Sequence, residues 1–349
     1  MIKTINALRG IFAIVIVLFH AKIQLMNEVG SLAVSFFLVA SGFLLTMRHH
    51  DKDLTPAKKW CSFMWKRACR IYPIHWLALA LYLLLYIGVM HQPLMLKELI
   101  AEVALVHCWI PNKDFFFAYN GLSWFLGVLL FHYACFPLIN KYYSHLRLRW
   151  QAVVMLIIIV ACAWMLKVIP GHLVSYTYIC PLVRMGDFLI GVTAANAYRA
   201  TSHSTSDYII SKATFVEVVT VVITIALIVF NHITKLPPSW GNYLLWWIPA
   251  AFILYILAIL DNKEGIIGHI LTLRPFQFLG NISLEIYLFQ NVIYYFLVCY
   301  IVPIYKHIGF VPFHKYVWSQ LLLLILLSWG INSMRKHINR RTHRAGITK

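Results

Sequence analysis

Ionisable side chains stand inside long apolar runs of this chain at Arg9, His20, His132, Arg184, Asp187 and Glu285, with Arg48, Arg67 and Arg70 at the ends of such runs. Charge inside a bilayer is expensive and rare, so such residues mark either a site or a pair that locks two helices together. In LRGIFAIVIVLFH, Arg9 and His20 are eleven residues apart, which on an α-helix is three turns plus about 20° and ~16 Å along the axis. They share one face at two depths. An imidazole there suits proton transfer near neutral pH; the alternative is a neutral histidine bonded to a neighbouring helix. Ser41 and Arg48, seven residues apart, share a face of the next run, and Gly42 leaves a gap for a neighbouring helix or a ligand. Arg67 and Arg70, at i and i+3, lie side by side on one face. Together with Arg48 they place three guanidinium forks at one membrane mouth. Such forks bind phosphate oxygens in pairs, which suits a phosphorylated ligand better than a metal cation. A lipid-headgroup anchor is the other reading of the same cluster.

The elements that position these residues are membrane spans. With 61% hydrophobic and 12% charged residues, the composition is that of an all-α polytopic bundle rather than a soluble domain. Runs near 5–25, 31–48, 72–90, 121–139, 151–169, 178–198, 214–232, 243–260, 278–302 and 316–334 predict about ten transmembrane helices, with both termini on one side. If that side is the cytoplasm, inward segments hold 21 of the 30 lysines and arginines and outward segments hold five. The positive-inside rule favours that orientation and accounts for the net charge of +18 without a nucleic-acid partner. Residues 1–349 read as one membrane domain, ending in a basic cytoplasmic tail, 335–349, beside anionic lipid headgroups. Segment 91–120 is expected to form an interfacial or re-entrant helix on the outer side. Seven cysteines form no CxxC pair, so neither a disulfide framework nor a metal site is expected. The first run carries Arg9 and no small-residue cleavage site, so it reads as a retained helix rather than a signal peptide.

Phosphate-binding arginines at one end and a base candidate ~16 Å or more deeper describe a path that fits coenzyme A. Its nucleotide carries the phosphates, and its pantetheine arm holds a thioester at about that remove. Three elements then resemble the membrane acyltransferase 3 family: LRGIFAIVIVLFH, with Arg9 and His20 in register; FFLVASGFLLTMR, giving Ser41, Gly42 and Arg48; and KRACRIYP, giving Arg67, Arg70 and Tyr72. Weaker echoes follow in GLSWFLGVLLFHYACFPLI, GDFLIGV and LGNISLEIYLFQN. The resemblance implies an integral-membrane O-acyltransferase in a bacterial cytoplasmic membrane. It would move an acetyl group from cytosolic acetyl-CoA to a hydroxyl of a surface or lipid-linked glycan such as lipopolysaccharide. His20 would be the general base, with Arg9 and Ser41 beside the reacting groups and Arg48, Arg67, Arg70, Gly42 and Tyr72 holding the donor. Trp124, Asn120 and Glu285 would contact the acceptor, and no metal is implied. Two positions depart from the family pattern. Trp124 leads FLGVLLFHY, where many members have acidic residues, and Gln290 stands where many have a histidine. That leaves Asp187 as the expected acid for orienting His20, with Glu285 as its rival or as half of an ion pair. A transporter or flippase using the same polar path is the alternative function, although no internal repeat supports it.

Overall fold

The computed structural model describes residues 2–21, 26–237, 240–261, 263, 265–301 and 315–344. Among these, nine helices are long and apolar enough to cross a membrane, and a bent pair makes up a tenth. In lipid a backbone must satisfy its own hydrogen bonds, and an apolar run does so as a helix. The elements that build the site are α1 (Lys3–His20), α2 (Asn27–His49), α3 (Ala57–Gly88), α4 (Leu96–Val103), α5 (Trp124–Leu138), α6 (Leu148–Val168), α7 (Pro181–Ala200), α8 (Ala213–Thr234), α9 (Leu245–Ile259), α10 (Arg274–Asn281), α11 (Ser283–Phe296) and α12 (Lys315–Arg344). The bundle centre is α1, α2, α7, α9 and α11; 78% of the best apolar window of α2 is buried against only 6% of that of α8, which faces outward. The connection between the expected spans 278–302 and 316–334 falls largely outside the described residues, as does the end of the tail at 345–349.

Small residues set two close crossings that fix the site. Gly42 of α2 lies against the Phe188 carbonyl of α7, while Gly191 of α7 lies reciprocally against the Val39 carbonyl of α2. A side chain at either position collides with backbone, so the pair works as a small-residue crossing. Gly42 therefore receives a helix and not the donor, which corrects its expected ligand role. Gly10 of α1 likewise meets Gly280 of α10. There the Asn6 amide donates to the Gln277 carbonyl at 3.3 Å and the Gln277 side-chain oxygen at 3.2 Å. That contact seats Arg9 beside the start of α11.

Two spans differ from the sequence expectation. Helix α3 starts at Ala57 rather than near residue 72 and runs through Pro73, so Arg67 and Arg70 lie within a 32-residue helix and not at its tip. Long basic side chains suit this end, because their stems pack on apolar surface while their heads reach polar space. The span expected at 278–302 is broken at Ile282, where α10 and α11 meet at 66°. The segment after α3 folds back along it. Tyr72 donates its hydroxyl to the Ala104 carbonyl at 3.0 Å, His75 donates Nε2–H to the Glu102 carbonyl at 2.9 Å, and Trp76 donates to the Val103 carbonyl at 3.1 Å. Tyr72 is sixteen residues before the end of α3, or ~24 Å, so the segment dips deep beside the bundle in the manner of a re-entrant helix. Tyr72 is thus a strap for this segment, and its expected place at the donor is corrected.

Candidate active site

A cavity of about 600 Å³ opens among α1, α2, α3, α5 and α11 and is lined by Arg9, Ser41, Arg48, Arg67, Arg70 and Tyr133. The helix spacings read from the sequence explain this convergence. Ser41 and Arg48 come from one face of α2, and Arg67 and Arg70 from one face of α3. None of the four arginines makes an ion pair or a side-chain hydrogen bond among the described residues, whose ion pairs all lie elsewhere. Arg67 instead lies over the rings of Phe63, at 5.1 Å, and Tyr133, at 5.3 Å. Ring faces hold a guanidinium without using its N–H donors. Four cations with donors to spare can hold an anion with several oxygens.

A second cavity, of about 840 Å³, lies on the other side of the bundle and is lined by His20, Trp124, Tyr178, Tyr86, Tyr119 and Asn291, with Glu98 and Asp114 also at its wall. His20 Nδ1 faces two oxygens, the Ile16 carbonyl at 2.8 Å and Gln290 Oε1 at 3.2 Å. The Gln290 amide is oriented by its own donor, which reaches the Tyr287 carbonyl at 2.9 Å. With acceptors on both sides, the hydrogen-bond network assigns the proton to Nδ1. Nε2 is then an unprotonated lone pair with no described partner, and it is not among the sealed-off polar atoms. An imidazole in that tautomer can accept a proton from a hydroxyl in this chamber.

The two chambers share one lining residue, Tyr287 of α11. Its ring centroid is 5.3 Å from that of Phe125, which is 6.0 Å from Trp124 and 6.2 Å from Phe37. Arg9 and Ser41 line the arginine side of this aromatic wall, and His20 the other. Ser41 and His20 are therefore not brought together, so the expected place of Ser41 beside the reacting groups is corrected.

Several expected site residues have other duties. Asp187 does not reach His20. It pairs with Arg184 at 3.3 Å, both side chains being fully buried, and Arg184 also donates to Ser35 Oγ at 3.3 Å. Adjacent turns of α7 place them side by side, and a buried charge takes the nearest opposite one. The neutral Gln290 occupies the place expected for that acid. Glu285 pairs with Arg335 of α12 at 2.9 Å. It lines a small cavity with Arg9 and Arg70, away from the His20 chamber, so its expected contact with the acceptor is corrected. Asn120 is fully buried and donates to the Leu288 carbonyl at 3.1 Å; it ties α11 to the start of the α5 span and lines neither chamber. His132 is buried against the Pro181 carbonyl at 3.3 Å. Of the residues expected at the acceptor, Trp124 does line the His20 chamber.

Sequence reasoning missed Tyr287 and Tyr133, because a tyrosine in an apolar run carries no mark of its own. It also missed a buried cluster around Ser123, whose neighbours Leu122 and Trp124 line the His20 chamber. There Ser123 donates to Glu102 Oε1 at 3.0 Å and sits 3.1 Å from His107 Nε2. The only sequence signal was two ionisable residues, Glu102 and His107, in a segment expected to be interfacial. No group of three or more histidine, cysteine or acidic side chains with metal-binding geometry occurs among the described residues.

The sequence pattern of a family described as "Acyltransferase domain" matches residues 2–332. The chain is also 25% identical over 187 residues to Acyltransferase MdmB of Streptomyces mycarofaciens, a match covering 49% of this chain and 47% of that protein. The chain thus spans about half the length of that curated relative. No solved structure matches.

Proposed function

The chain belongs to the acyltransferase-domain family and carries nine helices long and apolar enough to cross a membrane among its described residues, and from that premise we propose that it is a multi-pass membrane acyltransferase that transfers an acetyl group from acetyl-CoA to a hydroxyl of a surface or lipid-linked glycan. The observation that carries this reading is the separation of two chemistries by one aromatic wall. Arginines with no ion pair among the described residues lie on one side, and a histidine whose Nε2 has no described partner lies on the other. The arginine chamber is taken as cytoplasmic, as the positive-inside count favours. Coenzyme A phosphates are held there by Arg48, Arg67 and Arg70, with Arg9 deeper along the same chamber. The pantetheine arm then points the thioester at the wall, ~16 Å from the level of Arg9 to that of His20.

The acceptor enters the other chamber, where Tyr86, Tyr119 and Trp124 offer flat apolar faces and Asn291, Glu98 and Asp114 offer polar groups. Rings with both an apolar face and polar edges, as sugars have, suit such a wall. The acceptor hydroxyl gives its proton to His20 Nε2 as its oxygen attacks the thioester carbonyl. The carbon–sulfur bond then breaks, and the imidazolium returns the proton to the departing thiolate. The products are an O-acetyl ester and free coenzyme A. Gln290 and the Ile16 carbonyl keep the proton on Nδ1, so the lone pair stays aimed at the acceptor. A bacterial cytoplasmic membrane would supply both substrates, donor on one face and glycan on the other.

Purified protein in liposomes, given labelled acetyl-CoA and a crude membrane glycan fraction, tests the proposal. Label bound covalently to glycan supports it. Release of labelled acetate alone, or uptake of glycan without label, contradicts it.

A further inference from the structure

Helix α11 carries a stripe of residues four apart, Ser283, Tyr287, Asn291 and Tyr295, neighbours in turn along the helix and winding about 120° around it in all. Ser283 lines the arginine chamber, Asn291 and Tyr295 line the His20 chamber, and Tyr287 between them lines both. The stripe therefore runs from one chamber to the other, and Tyr287 stands where it crosses between them. Phe125, at the wall of the arginine chamber, closes the crossing from the facing helix with ring centroids 5.3 Å apart, which is direct ring contact. The Tyr287 ring is also latched, since its hydroxyl donates to the Leu122 carbonyl at 2.9 Å. The latch is backbone, at the start of the α5 span. The ring can be displaced only by giving up that bond, and with only 5% of the residue exposed little free space surrounds it.

We propose that Tyr287, packed against Phe125, fixes how large an acyl group passes from the arginine chamber to His20. The inference rests on the reading that an acyl thioester enters the arginine chamber. An acetyl group asks the two rings to part by little, whereas each further methylene must fit a space already filled to core density, where added volume is poorly tolerated. Tyr287 is thus a specificity-determining residue and takes no part in proton transfer.

The test compares acetyl-CoA and hexanoyl-CoA binding to purified protein by calorimetry. Wild type is expected to bind acetyl-CoA at least tenfold more tightly than hexanoyl-CoA. Tyr287→Ala, which joins the two chambers, is expected to shrink that ratio at least tenfold. Tyr287→Phe, which keeps the ring and loses only the latch, is expected to fall between. If Tyr287→Ala no longer binds acetyl-CoA, Phe125→Leu opens the same crossing from the other side and is read in the same way. An unchanged ratio in a variant that still binds acetyl-CoA overturns the assignment. Wild type that binds neither thioester overturns the donor reading itself, so the two failures are distinct.

Discussion

Gln290 holds His20 with a neutral amide, and the size of that effect follows from its geometry. The bond is 3.2 Å long and shares Nδ1 with the shorter one, 2.8 Å, to the Ile16 carbonyl. Gln290→Ala removes the longer bond and leaves the shorter one to hold the same tautomer. A neutral hydrogen bond is worth about 0.5–1.5 kcal/mol, which as a change in barrier is a roughly 2- to 12-fold slower transfer. Gln290 contributes to neither cavity wall near the arginines, so the apparent affinity for acetyl-CoA should not change. The assay is the initial rate of label transfer in proteoliposomes at saturating acetyl-CoA, normalised to inserted protein. His20→Ala provides the scale, because loss of a general base removes roughly 10²–10⁴-fold. Two results refute the reasoning. A Gln290→Ala defect as deep as that of His20→Ala means the amide does more than orient, and no defect at all means that Ile16 alone fixes the ring.

Arg70→Ala should weaken acetyl-CoA binding roughly 10- to 150-fold, the value of one charged hydrogen bond of about 1.5–3 kcal/mol, with the rate at saturation nearly kept; titration calorimetry reads this directly. Asp187→Ala strands the fully buried Arg184 guanidinium and should destabilise the fold by about 3–5 kcal/mol. The expected sign is loss of inserted, folded protein in a thermal-shift measurement rather than a selective loss of transfer. Gly42→Leu places a side chain against the Phe188 carbonyl and should cost about 1–3 kcal/mol, read as a lowered melting temperature. Normal melting with weakened donor binding would instead return Gly42 to a ligand role.

Helix number and the clustering of Arg48, Arg67 and Arg70 were legible because hydropathy and the 3.6-residue period point to both, whereas the structure adds Arg9 to that cluster. The break at Ile282 was not, since the apolar run continues across it and the bend depends on how α10 packs on α1 through Gly10 and Gly280. Arg9 and His20 were placed correctly at two depths of one helix, yet the sequence could not show that a wall separates them. That wall is made of Phe125, Trp124 and Tyr287, which come from segments more than 150 residues apart. The partner of His20 was misjudged for a related reason. Composition drew attention to Asp187 as the available acid, while tertiary packing had already paired it with Arg184 one turn away. Gly42 had two readings from sequence, and only the reciprocal contact with Gly191 decided between them.

The central claim is that a hydroxyl in the His20 chamber is acylated with His20 Nε2 as base, and label transfer by His20→Ala tests it most directly. The measurement is labelled acetyl transferred to glycan by wild type and variant, at equal inserted amounts and with acetyl-CoA binding checked in both. The account predicts that the variant binds acetyl-CoA as wild type does and transfers at least a hundredfold less label. Transfer within a few-fold of wild type would contradict it.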